Sequence, residues 1–444
     1  MKINISRFLV TGLFLFLVLP RLVCAQPYLV RLESDRVIGN VFGRFDLRIA
    51  VGTKSFDSRI LKRESRVIVV DAKSGSATNL ATDTSLTFYD IRDDHRGGLI
   101  LYAGNSQGGV FQGTYYFIEK NGKVSSVPLS IDGHDMLVES DGIYTLRYVP
   151  ESTHFRQNLH LAIYRFDPRL DGILWSWTSR GRFALNSSTF SDSQSFPDDR
   201  ESLIEKAGKR LLITLLSPFD IKYPVRFSAV RKQLRLPTND YIHANSIIRA
   251  PNGNLWISAR HQDAILEMDE RSGSIVSWIG GKFSRRNDWR IVGDPLVSFS
   301  HQHSLQLRGH ELYIFDNGNR FDNRTSRVVV YRCDFERRTL TFVKDFPEPN
   351  GLHRPTQGGV RVVDGNHILV GWGGLLKKDA VKPQRGVSIF EIDTGREIFG
   401  FDLDAGLDSY NANPIETVEI MDMKIPTLKA PPAGGPDDER YDLE

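Results

Sequence analysis

Three glycine turns lie 56 residues apart, at Gly253, Gly309 and Gly365, and each opens the same pattern. A short apolar run follows the turn: Leu255-Trp256-Ile257-Ser258, Leu312-Tyr313-Ile314, Ile368-Leu369-Val370. A second run comes next (264–269, 327–331, 387–393), then a third (274–278, 340–343, 397–401). The N-terminal half repeats the plan more loosely. Residues 98–102, 114–118 and 123–124 form one unit, residues 141–146, 159–164 and 173–177 another, and residues 66–71 belong to a first.

These runs are rich in β-branched and aromatic residues, as strands are. A three- or four-stranded sheet repeated about six times cannot bury both faces alone; packing the sheets radially does bury them. The expectation is therefore an all-β, six-bladed β-propeller spanning residues 26–425, with a pair of β-sandwiches as the alternative. The stretch 180–238 breaks the rhythm and reads as an insertion or lid, with a helix-like piece from Asp198 to about Leu216. Residues 426–444, rich in Pro, Gly and charge, read as a disordered tail.

The first 25 residues read as a signal peptide. Lys2 and Arg7 precede an apolar run from Phe8 to Leu19, and Val23-Cys24-Ala25 offers a small-residue cleavage site before Gln26. A run of about a dozen residues is too short to span a bilayer. Export to the periplasm or the exterior is expected, with no membrane anchor after cleavage. Cleavage removes Lys2, Arg7 and Arg21 and no acid, so the formal charge falls from +3 to zero. No basic surplus then remains to attract nucleic acid. Cys333 becomes the single cysteine, which precludes an intrachain disulfide. Asn186-Ser187-Ser188 and Asn323-Arg324-Thr325 match the glycosylation triplet, relevant only in a eukaryotic host.

Of eleven histidines, four sit just ahead of the apolar runs: His134, His243, His303 and His353. Their offsets to the turn glycine of the unit are 8, 10, 6 and 12 residues. All are even, so strand alternation aims them to one side unless a bulge intervenes. In a propeller that position is the mouth of the central channel, where imidazoles would form a catalytic or metal site. Isolated histidines that cap turns are the bland alternative. No HExxH, CxxC or EF-hand loop supports a metal, no GxSxG supports a serine hydrolase, and no P-loop or GxGxxG implies a nucleotide. No cofactor is expected.

The ordered set Asp240-Tyr241-Ile242-His243-Ala244-Asn245-Ser246, Ser258-Ala259-Arg260-His261-Gln262-Asp263, Trp278-Ile279-Gly280-Gly281, Gln302-His303, Phe315-Asp316-Asn317-Gly318-Asn319-Arg320 and Ser326-Arg327-Val328 resembles the arylsulfotransferase family. The match is densest from Asp240 to Tyr331. The resemblance implies a six-bladed propeller that moves a sulfuryl group from a phenolic sulfate ester to another phenol, without a nucleotide donor. By motif position His243 and His303 match family histidines, and Arg320 matches the sulfate-binding arginine, with Arg327 as alternative. His353 is carried as a further catalytic candidate, and His134, Asn245, Arg260, Asn317 and Arg327 as substrate-binding ones. Trp256, Trp278 and Trp289 could stack on an aryl group; for Trp256 and Trp278 a core role is expected.

The family also carries a nucleophilic histidine in its last blade. The corresponding stretch here is Asp408-Ser409-Tyr410-Asn411, which puts Ser409 in its place. Three functions are therefore weighed: an aryl-sulfate-dependent sulfotransferase, a non-catalytic propeller that binds a sulfated or aromatic ligand, and a metal-dependent hydrolase or lyase built on the histidines.

Overall fold

The computed structural model describes residues 28–31, 38–42, 45–55, 65–94, 98–107, 110–152, 157–183, 238–321, 325–375, 383–403 and 407–415, with Ile425 and Leu428. The expected signal peptide, the helix-like piece, most of the 180–238 insertion, the first glycosylation triplet, Asn323 and Arg324 of the second, and nearly all of the tail lie outside the described residues.

The described chain is almost entirely strand, in six sheets. β1 (Tyr28–Arg31) and β2 (Ile38–Phe42) come first. Blade one contains β3 (Arg48–Ser55), β4 (Ser65–Asp71) and β5 (Ala77–Asp83). Blade two is β6 (Thr87–Asp93), β7 (Leu99–Gln107), β8 (Val110–Ile118) and β9 (Val124–Ser126). Blade three is β10 (Met136–Glu139), β11 (Gly142–Ser152), β12 (Gln157–Phe166) and β13 (Ile173–Thr178), with β14 (Thr238–Asp240) parallel to β12. Blade four is β15 (Ala244–Arg249), β16 (Leu255–Ala259), β17 (Ala264–Asp269) and β18 (Ser274–Gly280). Blade five adds β19 (Arg290–Val292) outside β20 (His303–Arg308), β21 (Glu311–Asp316), β22 (Arg327–Asp334) and β23 (Thr339–Pro347). Blade six is β24 (Gly359–Val362), β25 (His367–Gly371), β26 (Gln384–Glu391) and β27 (Glu397–Leu403), with β2 paired outside β27. The last strand, β28 (Leu407–Ile415), returns to pair with β3 and becomes the inner strand of blade one.

The core lies between blades rather than within them. Six buried apolar clusters each join two neighbouring blades. Six blades with six seams make a closed ring, which rules out the sandwich alternative. Middle strands are packed on both faces, so β16 and β17 read as near-continuous apolar runs. The outer strand β18 alternates exposed and buried positions. Trp256 is fully buried, Trp289 nearly so, and Trp278 packs against the seam between blades three and four. All three have core positions.

Each repeat has one more strand than its apolar runs announce. The run after each turn glycine is the second strand; a shorter, more polar strand precedes it and lines the channel. These inner strands are cross-linked by polar side chains. Arg92 bridges Asp90 at 2.6 Å and Asp135 at 2.5 Å. Ser246 Oγ donates to Asp135 at 2.7 Å and accepts from the Leu305 amide at 3.0 Å. Arg361 donates to Ser304 Oγ at 3.1 Å and Asn413 Oδ1 at 2.8 Å, and Asn413 Nδ2 donates to Asp90 at 3.0 Å. The circuit touches all six blades and fixes the inner strands one layer inside the mouth.

Candidate active site

In an antiparallel blade the start of the inner strand and the end of the second strand share one mouth. That pairing assembles the site. His134 lies just ahead of β10, His243 just ahead of β15, and His303 opens β20. Arg260 and His261 follow the end of β16, and Asn317 follows the end of β21. The His134 ring lies 5.1 Å from the His243 ring and 6.4 Å from the His303 ring. His261 stacks on His243 at 4.4 Å, and His301 lies 6.3 Å from His261. Five histidines thus form one continuous patch.

Alternation along straight strands is not what aims them. Both β15 and β20 carry a bulge at their first residues, between Ala244 and Ser246 and between His303 and Leu305. Backbone strain is concentrated here. Of the eight described non-glycine residues with positive φ, four line this mouth, His243, Asp263, His301 and Gln357, and a fifth, Ser304, lies in the layer beneath. Strained backbone of this kind persists where surrounding structure over-determines it, typically at functional sites.

Each ring is fixed by a defined partner, and the network sets its tautomer. His134 Nδ1 faces Asp132, and His243 Nδ1 faces Asp240. His261 Nε2 accepts from Arg260 Nη1 at 2.8 Å while its Nδ1 donates to the Asp240 carbonyl at 2.5 Å. His303 Nδ1 donates to Asn317 Oδ1 at 2.6 Å, and its Nε2 accepts from the Gln357 amide at 3.2 Å. His301 Nδ1 lies 3.0 Å from Asp263. Sequence reasoning passed over His261, His301, Asp132 and Asp240. The signal was present: an aspartate stands two residues before His134 and three before His243.

Burial dominates the electrostatics of the mouth. Burial holds His243, His261 and His303 well below the ordinary imidazole pKa, and neighbouring positive groups, Arg260 among them, add to the effect. Burial lowers His301 as well. His243, His261, His303 and His301 are therefore neutral at physiological pH. Arg260 is buried, and desolvation pulls its guanidinium down to about 10 although Asp263 and Asp240 pull the other way. Two of its donors go to neutral acceptors, His261 Nε2 and the Pro355 carbonyl at 3.1 Å. Donor atoms of Asp240, His243 and His261 lie within 4.8 Å of one another, near enough for a metal ion. Yet Arg260 donates to that same His261, and a dication beside a buried guanidinium is strongly disfavoured.

The other sequence candidates fall in different places. Arg320 stands 3.6 Å from Asp263 and 4.2 Å over the Phe283 ring, one carboxylate removed from His301. Arg327 is a structural cation: all five of its N–H donors are taken by Asp316, Asp294, Asp345 and the Ser298 carbonyl. Its saturation corrects the expectation of substrate contact. His353 is half-buried in the loop before β24 and donates to Asn319 Oδ1 at 3.0 Å, in the loop after β21. Asn317 positions His303 and donates to the Arg354 and Gln357 carbonyls at 2.7 and 3.0 Å, which occupies both of its N–H donors. Asn245 Nδ2 donates to the Gln302 carbonyl at 2.8 Å, while its buried Oδ1 has no partner among the described residues. Ser409 is buried on β28, next to Tyr410, whose ring lies 5.6 Å from His134.

Residues 131–377 match the arylsulfotransferase (ASST) family, more than half of the chain and every blade that supplies the histidine patch. The chain belongs to the arylsulfotransferase family. No curated protein matches it in sequence. Among solved structures it is similar to a Bacteroides caccae protein of unknown function, at 7% identity and TM-score 0.45, over 84% of this chain and 100% of that one. It is similar to TolB from Acinetobacter baumannii at 11% identity and TM-score 0.43, over 84% and 68%. A streptogramin B lyase aligns at 9% identity and TM-score 0.38, over 85% and 98%. Membership of the arylsulfotransferase family supports a sulfotransferase-like function for this propeller.

Proposed function

We propose that this protein is an exported aryl-sulfate sulfotransferase that passes a sulfuryl group from a phenolic sulfate ester to a phenolic acceptor at the histidine-lined mouth. The observation that carries the reading is Arg260, a buried cation among neutral rings in a chain of this family. A transferring sulfuryl group spreads negative charge over its oxygens, as a phosphoryl group does. A fixed guanidinium aimed at that charge lowers the barrier, more so in a site of low dielectric. Arg260 thus takes the role that the motif alone gives to Arg320, and Arg320 guides the anion at the outer edge. The apolar run Phe8–Leu19 behind Lys2 and Arg7 supports export.

The test is purified protein with a chromogenic aryl sulfate, with and without phenol. Phenol-dependent release of the chromophore, with loss of release in Arg260→Met, supports the proposal. Binding of the aryl sulfate without release would make the protein an anion-binding propeller. Release that requires an added divalent metal would favour the hydrolase reading.

A further inference from the structure

Five imidazoles share the mouth, but their nitrogens are not equally available. Both ring nitrogens of His261 are engaged, by Arg260 and by the Asp240 carbonyl. Both of His303 are engaged, by Asn317 and by the Gln357 amide, which donates into the Nε2 lone pair. His243 differs. Its Nδ1 faces the Asp240 carboxylate, and its Nε2 has no hydrogen-bond partner among the described residues. That nitrogen is not sealed in the core either: the side chain keeps 11% of its surface, and Nε2 is not among the buried atoms lacking partners.

Three features organise this one ring. Asp240 fixes the tautomer with hydrogen on Nδ1 and the lone pair on Nε2. His261 stacks behind the ring at 4.4 Å with planes 27° apart, holding its orientation. The same His261 is bonded to Arg260, which puts the guanidinium one ring away from Nε2. His243 also has φ of 50°, a left-handed conformation that costs of the order of 1 kcal/mol or more in a non-glycine residue. Ser409, at the position of the family's last-blade nucleophile, lacks all of this. Its Oγ is buried with no hydrogen-bond partner among the described residues, so no base activates it.

We propose that His243 Nε2 is the covalent sulfuryl carrier of this protein, with Asp240 as its positioning residue, a role moved from the last blade to blade four. The proposal rests on the aryl-sulfate reading above. In the first step the Nε2 lone pair forms an N–S bond as the S–O bond to the donor phenol breaks. The phenolate leaves with the bonding pair. The ring becomes an N-sulfonated imidazolium whose Nδ1–H faces the Asp240 carboxylate, so its positive charge is compensated. In the second step the acceptor phenol oxygen attacks sulfur, the N–S pair returns to Nε2, and the acceptor's proton passes through solvent to the released phenolate. No other reactant is needed.

The experiment treats the full protein with a chromogenic aryl sulfate alone, then measures intact mass and maps the modified peptide at neutral pH. The expected result is one added SO3 group on the peptide that carries His243, removed on addition of phenol. His243→Gln should lose the adduct and at least about a thousandfold in turnover. Asp240→Asn should slow adduct formation with little change in donor KM, and Asp240→Glu should recover part of the rate. Phenol-dependent turnover with the adduct on His134, His303 or another residue, or with no adduct, overturns the carrier assignment and leaves the sulfotransferase reading standing. Absence of any turnover or adduct sinks that reading instead. Peptide mapping uses the unaltered protein, so it decides the matter even if His243→Gln fails to fold.

Discussion

Arg260→Met tests the electrostatic argument on its own, without any turnover. The side chain keeps comparable bulk and loses its charge. The guanidinium falls from an ordinary 12.5 to about 10 through burial. A shift of about 2.5 units at about 1.36 kcal/mol each means the cation destabilises the fold by about 3 kcal/mol. The sign is unambiguous, since a base with a lowered folded pKa carries its full cost below that pKa, and neutral pH lies far below 10. The substitution also leaves His261 Nε2 and the Pro355 carbonyl without their donor, at about 1–3 kcal/mol each. The two effects partly offset, so without anion the variant should lie within about 3 kcal/mol of the unaltered protein. Sulfate separates them. An anion at a hundred times its Kd stabilises by about 2.7 kcal/mol. Sulfate also raises midpoints without binding, by exclusion from the protein surface, so urea unfolding followed by tryptophan fluorescence, with sulfate against chloride at equal ionic strength, should show a larger sulfate-dependent rise in midpoint for the unaltered protein than for Arg260→Met. An equal rise in both would refute the claim that Arg260 is the anion's partner.

Three other outcomes follow from the same contacts. The acid limb of kcat/KM should fall below about pH 6.5, the ordinary imidazole value, because lowered histidine pKa values keep the nucleophilic neutral form to lower pH; a limb at or above that value contradicts the neutral-ring account. Arg327→Met should lose about 3–5 kcal/mol of stability by leaving buried Asp294 and Asp316 without their cation, whereas Arg320→Met, which loses only a 3.6 Å pair and a ring contact, should unfold near the normal urea midpoint. Truncation after residue 406 removes β28, the inner strand of blade one; cooperative thermal unfolding by circular dichroism should vanish, and a retained transition would show that the ring does not need this closure.

The parts of the fold that were legible in the sequence are those buried on both faces. β16, β17, β21 and β22 pack between two blades, so their apolar runs announce them whatever the alternation. The inner strands were hidden because they face a polar channel. β15 reads Ala-Asn-Ser-Ile-Ile-Arg, half of it committed to the cross-linking circuit and to the mouth. The convergence of His134, His243 and His303 was visible from repeat position, but the parity behind it was accidental, since bulges at Ala244 and His303 reset the register. Arg260 entered as a substrate ligand from its motif alone. Its burial, and the saturation of Arg327 by carboxylates drawn from three separate segments, depend on long-range packing that no local pattern encodes.

The fate of the sulfuryl group separates transfer from every alternative. A donor aryl sulfate labelled with radioactive sulfur, incubated with the protein and an unlabelled phenol, reads that fate directly. The label should be recovered in the sulfate ester of the acceptor, in amounts equal to the donor phenol released. Label recovered as inorganic sulfate, or left wholly in the donor, would contradict transfer at this channel.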